Sequence, residues 1–478
     1  MLIDRYPPED VFARVPELAD QTDPVLVQLD RLLEDDQLYQ QVRADLVRRY
    51  RLTAVHGRHS TPAEALLRLL VVKHLYAWSF EETEKRVADS LVLRWFTRLY
   101  FRRVPDDTTL LRWARTLQPD TLHALVARAA QLAAQARVTR ARKLRVDGTV
   151  VETTIHYPTD SRLLGDGVRV LTRLVQRARP LVAKQLAGVR DAFRRRTRSM
   201  QRTLQALYRQ VRHRSQEAAQ AAVEQRRQRY AKLIGITEET LEQARRVRQV
   251  LTQVAAPAGP RSSRPALAQR LEASLDHFLP LLAQVVRQAR TRVLEGGQVP
   301  PQEKVVSLFE PHTRVLQREK PGAPVEFGRH LVLDEVEGGI ITRYRILPAG
   351  EGERHELERA VAHHRAVFKH SPHLVAADRG FHVPGQEVPF QQAGVKHVAV
   401  PWKGKASLER RALEHTRAWR RHYRWRAGIE GRIHSLRRDF GLKRCRNQGE
   451  DGMERWVGWG LLASNLWQMG QACAKRAA

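Results

Sequence analysis

Cysteine is almost absent from this 478-residue sequence: Cys445 and Cys473 are the whole complement. Two thiols make neither a disulfide framework nor a zinc cluster, and such usage fits a reducing compartment. Long apolar runs are missing too. VGWGLLASNLWQMG carries Asn465 and Gln468 and falls short of the roughly 18 uninterrupted apolar residues of a membrane span. The start, MLIDRYPPEDVF, has acids and prolines where a secretory signal needs a basic head and an apolar core. These absences predict a cytoplasmic, nucleoid-associated protein with no membrane partner. Lysine is scarce at 13 residues, yet Lys+Arg total 83, so arginine supplies 70. Acids number 52, leaving a net charge of +31. Such an excess calls for a polyanion, and nucleic acid is the usual one. The arginine bias has two readings of equal weight, a planar fork for phosphate or a GC-rich genome.

Residues 1–140 read as helices. TPAEALLRLLVVKHLYAW has apolar residues at helical spacing, and Ser79 with Glu82 forms a capping-box start. PDDTTLLRWARTLQ opens on acids suited to an N-cap. Short helices joined by tight turns suit either a plain bundle or a helix-turn-helix cluster that lays its last helix on DNA, with Arg112 and Arg115 outward. The texture changes at 141: RKLRVDGTVVETTI alternates and reads as a strand containing Asp147. Residues 169–300 read as an Arg-rich helical insertion, with a break at 256–266. KVVSLFEP and FGRHLVLDEVEGGIITRYRILPA read as β runs, with Gly338-Gly339 at a hairpin turn. HLVAAD is a short strand ending on Asp378, VKHVAVP is another, and the chain reads helical from about 407 to its end. Residues 141–168 and 301–478 therefore make one α/β unit, a mixed sheet flanked by helices and split by the insertion.

The stretch YRWRAGIEGRIHSLRR sets one carboxylate, Glu430, among arginines. On a helix of about 3.6 residues per turn, Tyr423, Arg426, Glu430 and Arg437 share a stripe, with His434 beside them. Gly428 and Gly431 weaken such a helix, so either another backbone approaches closely or the helix bends or begins there. Asp147 and Asp378 are unusual in apolar β runs. Either alone is ordinarily a structural aspartate at a strand end. With Glu430, the two can converge on a point where oxygen ligands hold hard divalent cations. Glu152, Asp160 and Asp166 are nearby competitors, but Glu152 should face the opposite side of the strand. Asp160 and Asp166 read as loop residues. His363 and His364, with His355 and His382, read as surface residues, Trp456 and Trp459 as core, and Trp402 as either packing or a base-stacking platform.

Tyr423, Arg426, Glu430 and Arg437 match the spacing of the Y-x2-R-x3-E-x6-K signature, with arginine in the last place. This stretch resembles the signature of bacterial insertion-sequence DDE transposases. VDGTVVETTIHYPTD resembles the family's first-acid block, AADRGFH its second, and ALLRLLVVKHLYAWSFEETEKRVADSLVLRWF its N-terminal region. The likeness is closest to the ISNCY-type group. It implies an RNase H-like core with an all-helical N-terminal domain and a metal-binding triad of Asp147, Asp378 and Glu430. It also implies two Mg2+ or Mn2+ ions, and Tyr423, Arg426 and Arg437 on DNA phosphates. The activity implied is cleavage at the element's terminal inverted repeats and joining of the 3′-OH to target DNA, by a homodimer. A hydrolytic nuclease with the same core and a non-catalytic DNA-binding derivative stay open beside it.

Overall fold

The computed structural model describes residues 2–9, 11–17, 19, 22–48, 61–209, 216–254, 263–317 and 325–477. The chain folds into two compact units: residues 1–154 with 329–478, and residues 155–328. The helical start and the α/β part thus share one unit. The other unit is wider than the expected 169–300.

After a single helical turn at Val11–Arg14, the first unit runs through α1 (Pro24–Leu32), α2 (Asp36–Arg48), α3 (Ala63–Leu75), α4 (Phe80–Asp89), α5 (Leu91–Phe96), α6 (Asp107–Thr116) and α7 (Pro119–Gln135). Side-chain caps set several starts. Ser79 Oγ accepts from the Glu82 N–H at 3.0 Å, and Asp106 Oδ1 from the Thr109 N–H at 2.8 Å. Strand β1 (Lys143–Glu152) follows.

The second unit holds α8 (Asp160–Val182), α9 (Thr197–Tyr208), α10 (Gln216–Val254) and α11 (Ser263–Ala289) around a leucine- and valine-rich core of its own, and then β2 (Arg314–Gln317). The expected break falls mostly on residues 255–262, outside the described residues. Two expectations fail here. Asp160 and Asp166 are not in a loop: both lie in α8, and Asp160 opens it, is buried, and accepts from Gln288 and Arg292 at 2.7 Å. KVVSLFEP is not a strand either. Ser307 Oγ accepts from the Phe309 and Glu310 N–H groups, and that local turn removes the donors an extended ladder needs.

β3 (Val325–Val336) pairs antiparallel with β2 through its first four residues and with β4 (Ile340–Ile346) beyond them. Gly338 and Gly339 make the turn at φ +80° and +73°, where a side chain is strained. Then come α12 (Glu356–Phe368), β5 (Leu374–Ala377), β6 (His397–Ala399), α13 (Leu408–His415), α14 (Arg417–Arg426), α15 (Gly428–Asp439) and α16 (Glu450–Ala477). The sheet of the first unit runs β4, β3, β1, β5, β6, and β1, β5 and β6 are parallel.

Alternation along β1 sorts its two faces. Leu144 and Val146 join a buried cluster with Val375 and Ala377 of β5. Arg145 and Asp147 point to the other face, where Leu374 and Ala376 meet Trp419, Tyr423 and Trp425 of α14. The C-terminal part is not helical throughout. It breaks between α15 and α16 at Gly441 and Gly449, both with φ near +78°. Trp456 fills the space beside Gly441 and donates to its carbonyl at 2.9 Å. His364 and His382, expected at the surface, are buried, His364 on α12 against Phe368 and His370 and His382 against Trp402. No helix among the described residues is long and apolar enough to cross a membrane.

Candidate active site

Parallel pairing brings two acids side by side. Val146 of β1 lies opposite Ala377 of β5, so the next residues, Asp147 and Asp378, are neighbours at the strand ends. Each is held by the peptide that follows it. Asp147 Oδ1 accepts from the Gly148 N–H at 2.8 Å, and Asp378 Oδ1 from the Arg379 N–H at 2.7 Å, capping a 3-10 turn. The Asp147 side chain is 13% exposed and that of Asp378 51%. Burial pushes the Asp147 carboxyl above the usual aspartate range. Asp378 and Glu353 add to that push, and Arg426 and the Gly148 N–H oppose it.

Glu430 arrives from the helices on the same face. α14 ends at Arg426 and α15 begins at Gly428, so the expected single stripe is bent at Ala427. Arg145 lies against the bend. Its guanidinium grips buried Glu335 with Nε at 2.9 Å and Nη2 at 2.5 Å, donates through Nη1 to the Trp425 carbonyl at 2.8 Å, and stacks on the Trp425 ring. A side chain at Gly428 would collide with that guanidinium. Gly428 therefore admits a protein side chain, while Gly431 faces open space.

Arg426 ties the three acids together. Its Nη2 lies 3.1 Å from Asp147 Oδ2 and 3.8 Å from Asp378 Oδ2, and its Nη1 lies 2.9 Å from Glu430 Oε1. Burial alone would lower the guanidinium's pKa, but Asp147 and Asp378 outweigh it and hold the cation firmly protonated. Among the described residues no three acid, histidine or cysteine side chains already stand as a cation cage. The carboxylates converge on a positive charge, and that charge is a guanidinium.

Two segments of the chain each match a known family. Residues 14–116 match the family described as Transposase domain (DUF772), and residues 327–466 match the one described as Transposase DDE domain. The second of these segments is thus similar to a transposase DDE domain. No curated protein and no solved structure matches it. A DDE domain implies an RNase H-like core, and the mixed sheet with flanking helices is consistent with one. Asp378 and Glu430 lie inside the matched transposase segment, and Asp147 lies outside both segments, joined to them by the β1–β5 pairing.

The site holds a fourth acid that the sequence reading did not single out. Glu353, in the turn before α12, has its carboxylate against Gly148 and Gly380, and its Oε1 is 3.0 Å from His330 Nε2 on β3. A Cβ at either glycine would strike that carboxylate. The two glycines flank the two aspartates in sequence, Asp147-Gly148 and Asp378-Arg379-Gly380, and this was the available signal.

The remaining expected residues are more dispersed. Tyr423 is half-buried and stacks on Trp419, with ring centroids 5.1 Å apart. Burial raises its hydroxyl pKa, and Arg426 lowers it. Arg437 lies 4.0 Å from Glu152, which also binds Arg444, and His434 is exposed on α15. Arg112 and Arg115 are exposed on α6, within the N-terminal transposase segment, and Arg112 donates to Thr109 Oγ1 at 2.9 Å. Trp402 packs on His382, with ring centroids 4.4 Å apart.

Proposed function

We propose that this chain is a DDE transposase that cleaves DNA at the ends of its own element and joins the freed 3′-OH to target DNA. The observation that carries the reading is the meeting of Asp147, Asp378 and Glu430 around one cationic group. DDE transposases use divalent metal ions, and the donor set fits them: hard carboxylate oxygens from two adjacent strand ends and one helix. Asp147, Asp378 and Glu430 would hold Mg2+ or Mn2+, which would stabilise charge on the attacking and leaving oxygens of an in-line phosphoryl displacement.

The chain's own residues account for the rest. Arg426 trades carboxylates for the scissile phosphate, a partner its planar fork fits equally well. Tyr423 stands one helical turn earlier on the same face and donates its hydroxyl to a neighbouring phosphate. Arg437 and His434 continue the basic track along α15. Arg112 and Arg115 on α6 serve recognition of the terminal repeats, and two copies hold the two ends together.

The test uses the full chain, duplexes carrying the element's ends, and Mg2+. Asp147→Asn and Glu430→Gln should bind end DNA within about threefold of the parent and lose cleavage by about a thousandfold or more. Both should also fail to join a pre-cut 3′-OH end. Normal cleavage by either variant would remove that residue from the triad. Cleavage without joining by the parent protein would favour a hydrolytic nuclease.

A further inference from the structure

Away from the triad, the first unit contains a cavity of about 610 Å3. It lies among the end of α3, the turn into α4, the exposed side of α6, and the segment from Arg446 into α16. Its walls are aromatic: Trp78, Phe80, Trp456 and Trp459. Its polar lining is basic, with Lys73, Arg115, Arg446 and Arg455 and no carboxylate among the described lining residues.

Two features are costly unless something enters. Lys73 is 5% exposed and forms no carboxylate pair among the described residues. Its ammonium rests over the rings of Phe80 and Trp456, at 4.7 and 5.3 Å. Its one described hydrogen-bond contact is the neutral His74 ring, with Nε2 at 3.5 Å, so the buried cation lacks an anion. Trp459 is 2% exposed, and its indole N–H has no acceptor among the described residues. A buried donor left unpaired is a cost that stable cores avoid. A ligand that removes both costs carries an aromatic face, a hydrogen-bond acceptor in the plane of its ring, and a negative charge beside it. A nucleotide has all three. A base inside a duplex cannot reach such a cavity, so it must first leave the stack.

We propose that this cavity receives one unpaired nucleotide of DNA, its base among the indoles and its phosphate on Lys73, Arg446 and Arg115. The inference rests on the DNA reading above but uses none of the triad. Stacking and charge both tolerate any base identity, so the cavity selects for an unstacked base over a paired one and reads no sequence.

The test compares the full chain on two duplexes of equal length, one fully paired and one with a single extrahelical deoxyadenosine. Competitors are dAMP, deoxyadenosine and inorganic phosphate, and quenching of tryptophan fluorescence gives a second readout. The bulged duplex should bind about tenfold more tightly, the scale of one base–aromatic stack. dAMP should abolish that preference at lower concentration than either of its halves. Arg446→Gln, at an exposed position, and Lys73→Met, which keeps the buried stem, should reduce the preference to about twofold or less. Equal binding of the two duplexes by the parent would overturn the proposal and leave the DNA reading standing. Binding of neither duplex would overturn both. Phosphate competing as well as dAMP would make this a simple anion site and overturn the nucleotide assignment, as would variants that keep the preference.

Discussion

The guanidinium of Arg426 spans Asp147 and Glu430, with Nη2 3.1 Å from the first carboxylate and Nη1 2.9 Å from the second. A divalent ion bound by these acids must use the same oxygens, so guanidinium and metal compete. DNA relieves the competition by offering Arg426 a phosphate. Arg426→Gln should therefore bind Mn2+ about tenfold more tightly than the parent without DNA, because a like-charged competitor is gone. End DNA should strengthen Mn2+ binding by the parent more than by the variant. Calorimetric titration with and without DNA measures both. Cleavage by the variant should still fall by about a hundredfold, because the phosphate contact is lost. Unchanged Mn2+ affinity would show that the guanidinium does not contend for the site.

Gly148 tests the fourth acid. A methyl group there would run into the Glu353 carboxylate and the His330 ring, one residue from Asp147. Gly148→Ala should cost about 1–3 kcal/mol by overpacking and displace the end of β1. Cleavage should fall by at least tenfold, with little change in DNA affinity. Combining it with Glu353→Ala makes room again. Partial recovery of the melting temperature in the double variant, a coupling of about 1 kcal/mol, is the expected signature of contact. Strict additivity would mean that the two positions do not touch.

The sequence made part of this site legible. Asp147 and Asp378 sit at strand positions that disfavour acids, and Glu430 falls at a fixed spacing from Tyr423, Arg426 and Arg437, so local pattern was enough to mark them. Arg145 was within reach too: it lies two residues before Asp147, and period 2 puts both on one face. Glu353 was harder to find, because it belongs to a 3-10 turn with no periodicity, and the glycines beside the two aspartates mark a close approach without naming the residue that makes it. The bend at Ala427 was one of two open readings, and Arg145, brought from a strand far away in the chain, decided it. The arginine excess was read as phosphate-binding or codon bias, yet part of it is internal. Arg343 is nearly buried between Asp334 and Glu356, and Arg145 clamps Glu335. Composition cannot tell those arginines from the ones that face a ligand.

Lys73 gives stability a pH signature. Burial, with Arg446 adding to it, lowers its pKa to about 8 from an ordinary value near 10.5. The adjacent His74 is held well below its usual range, by burial first and Lys73 second, and so stays neutral throughout. Between about pH 8 and 10.5 the unfolded chain holds a proton on Lys73 that the folded chain has released. Stability therefore rises with pH across that window, and the cost of burying the charge is complete below it. Lys73→Met should stabilise the protein by on the order of 2–3 kcal/mol at pH 7, and the gain should shrink as pH passes from 8 to 10. Urea titrations of both proteins at pH 7, 8.5 and 9.5 measure it. A gain independent of pH would mean that burial leaves the Lys73 pKa at its ordinary value in the folded protein.

Arg68 of α3 shows what holds the N-terminal helices together. Its side chain has no exposed surface. Nη1 lies 2.7 Å from Asp30 of α1 and 3.1 Å from the Phe96 carbonyl, and Nε lies 3.1 Å from Glu64 on its own helix. Arg98 adds a second cation 3.0 Å from Asp30, so two acids and two guanidinium groups balance in the helical core. Burial lowers the Arg68 pKa, with Asp30 and Glu64 acting against that shift, and an arginine in such company stays charged. Arg68→Met keeps most of the volume but leaves Asp30 and Glu64 short of a partner in a poorly solvated place. Stranding part of a buried network costs about 3–5 kcal/mol, a large share of the stability of most domains. Replacing Arg68, Asp30 and Glu64 together by Met, Leu and Leu removes the stranded carboxylates, leaves Arg98 paired with Glu34 at 3.3 Å, and should cost less than the single change. Denaturant unfolding of the three proteins measures this directly. A triple variant less stable than Arg68→Met would mean that the carboxylates hold the helices in place through contacts other than Arg68.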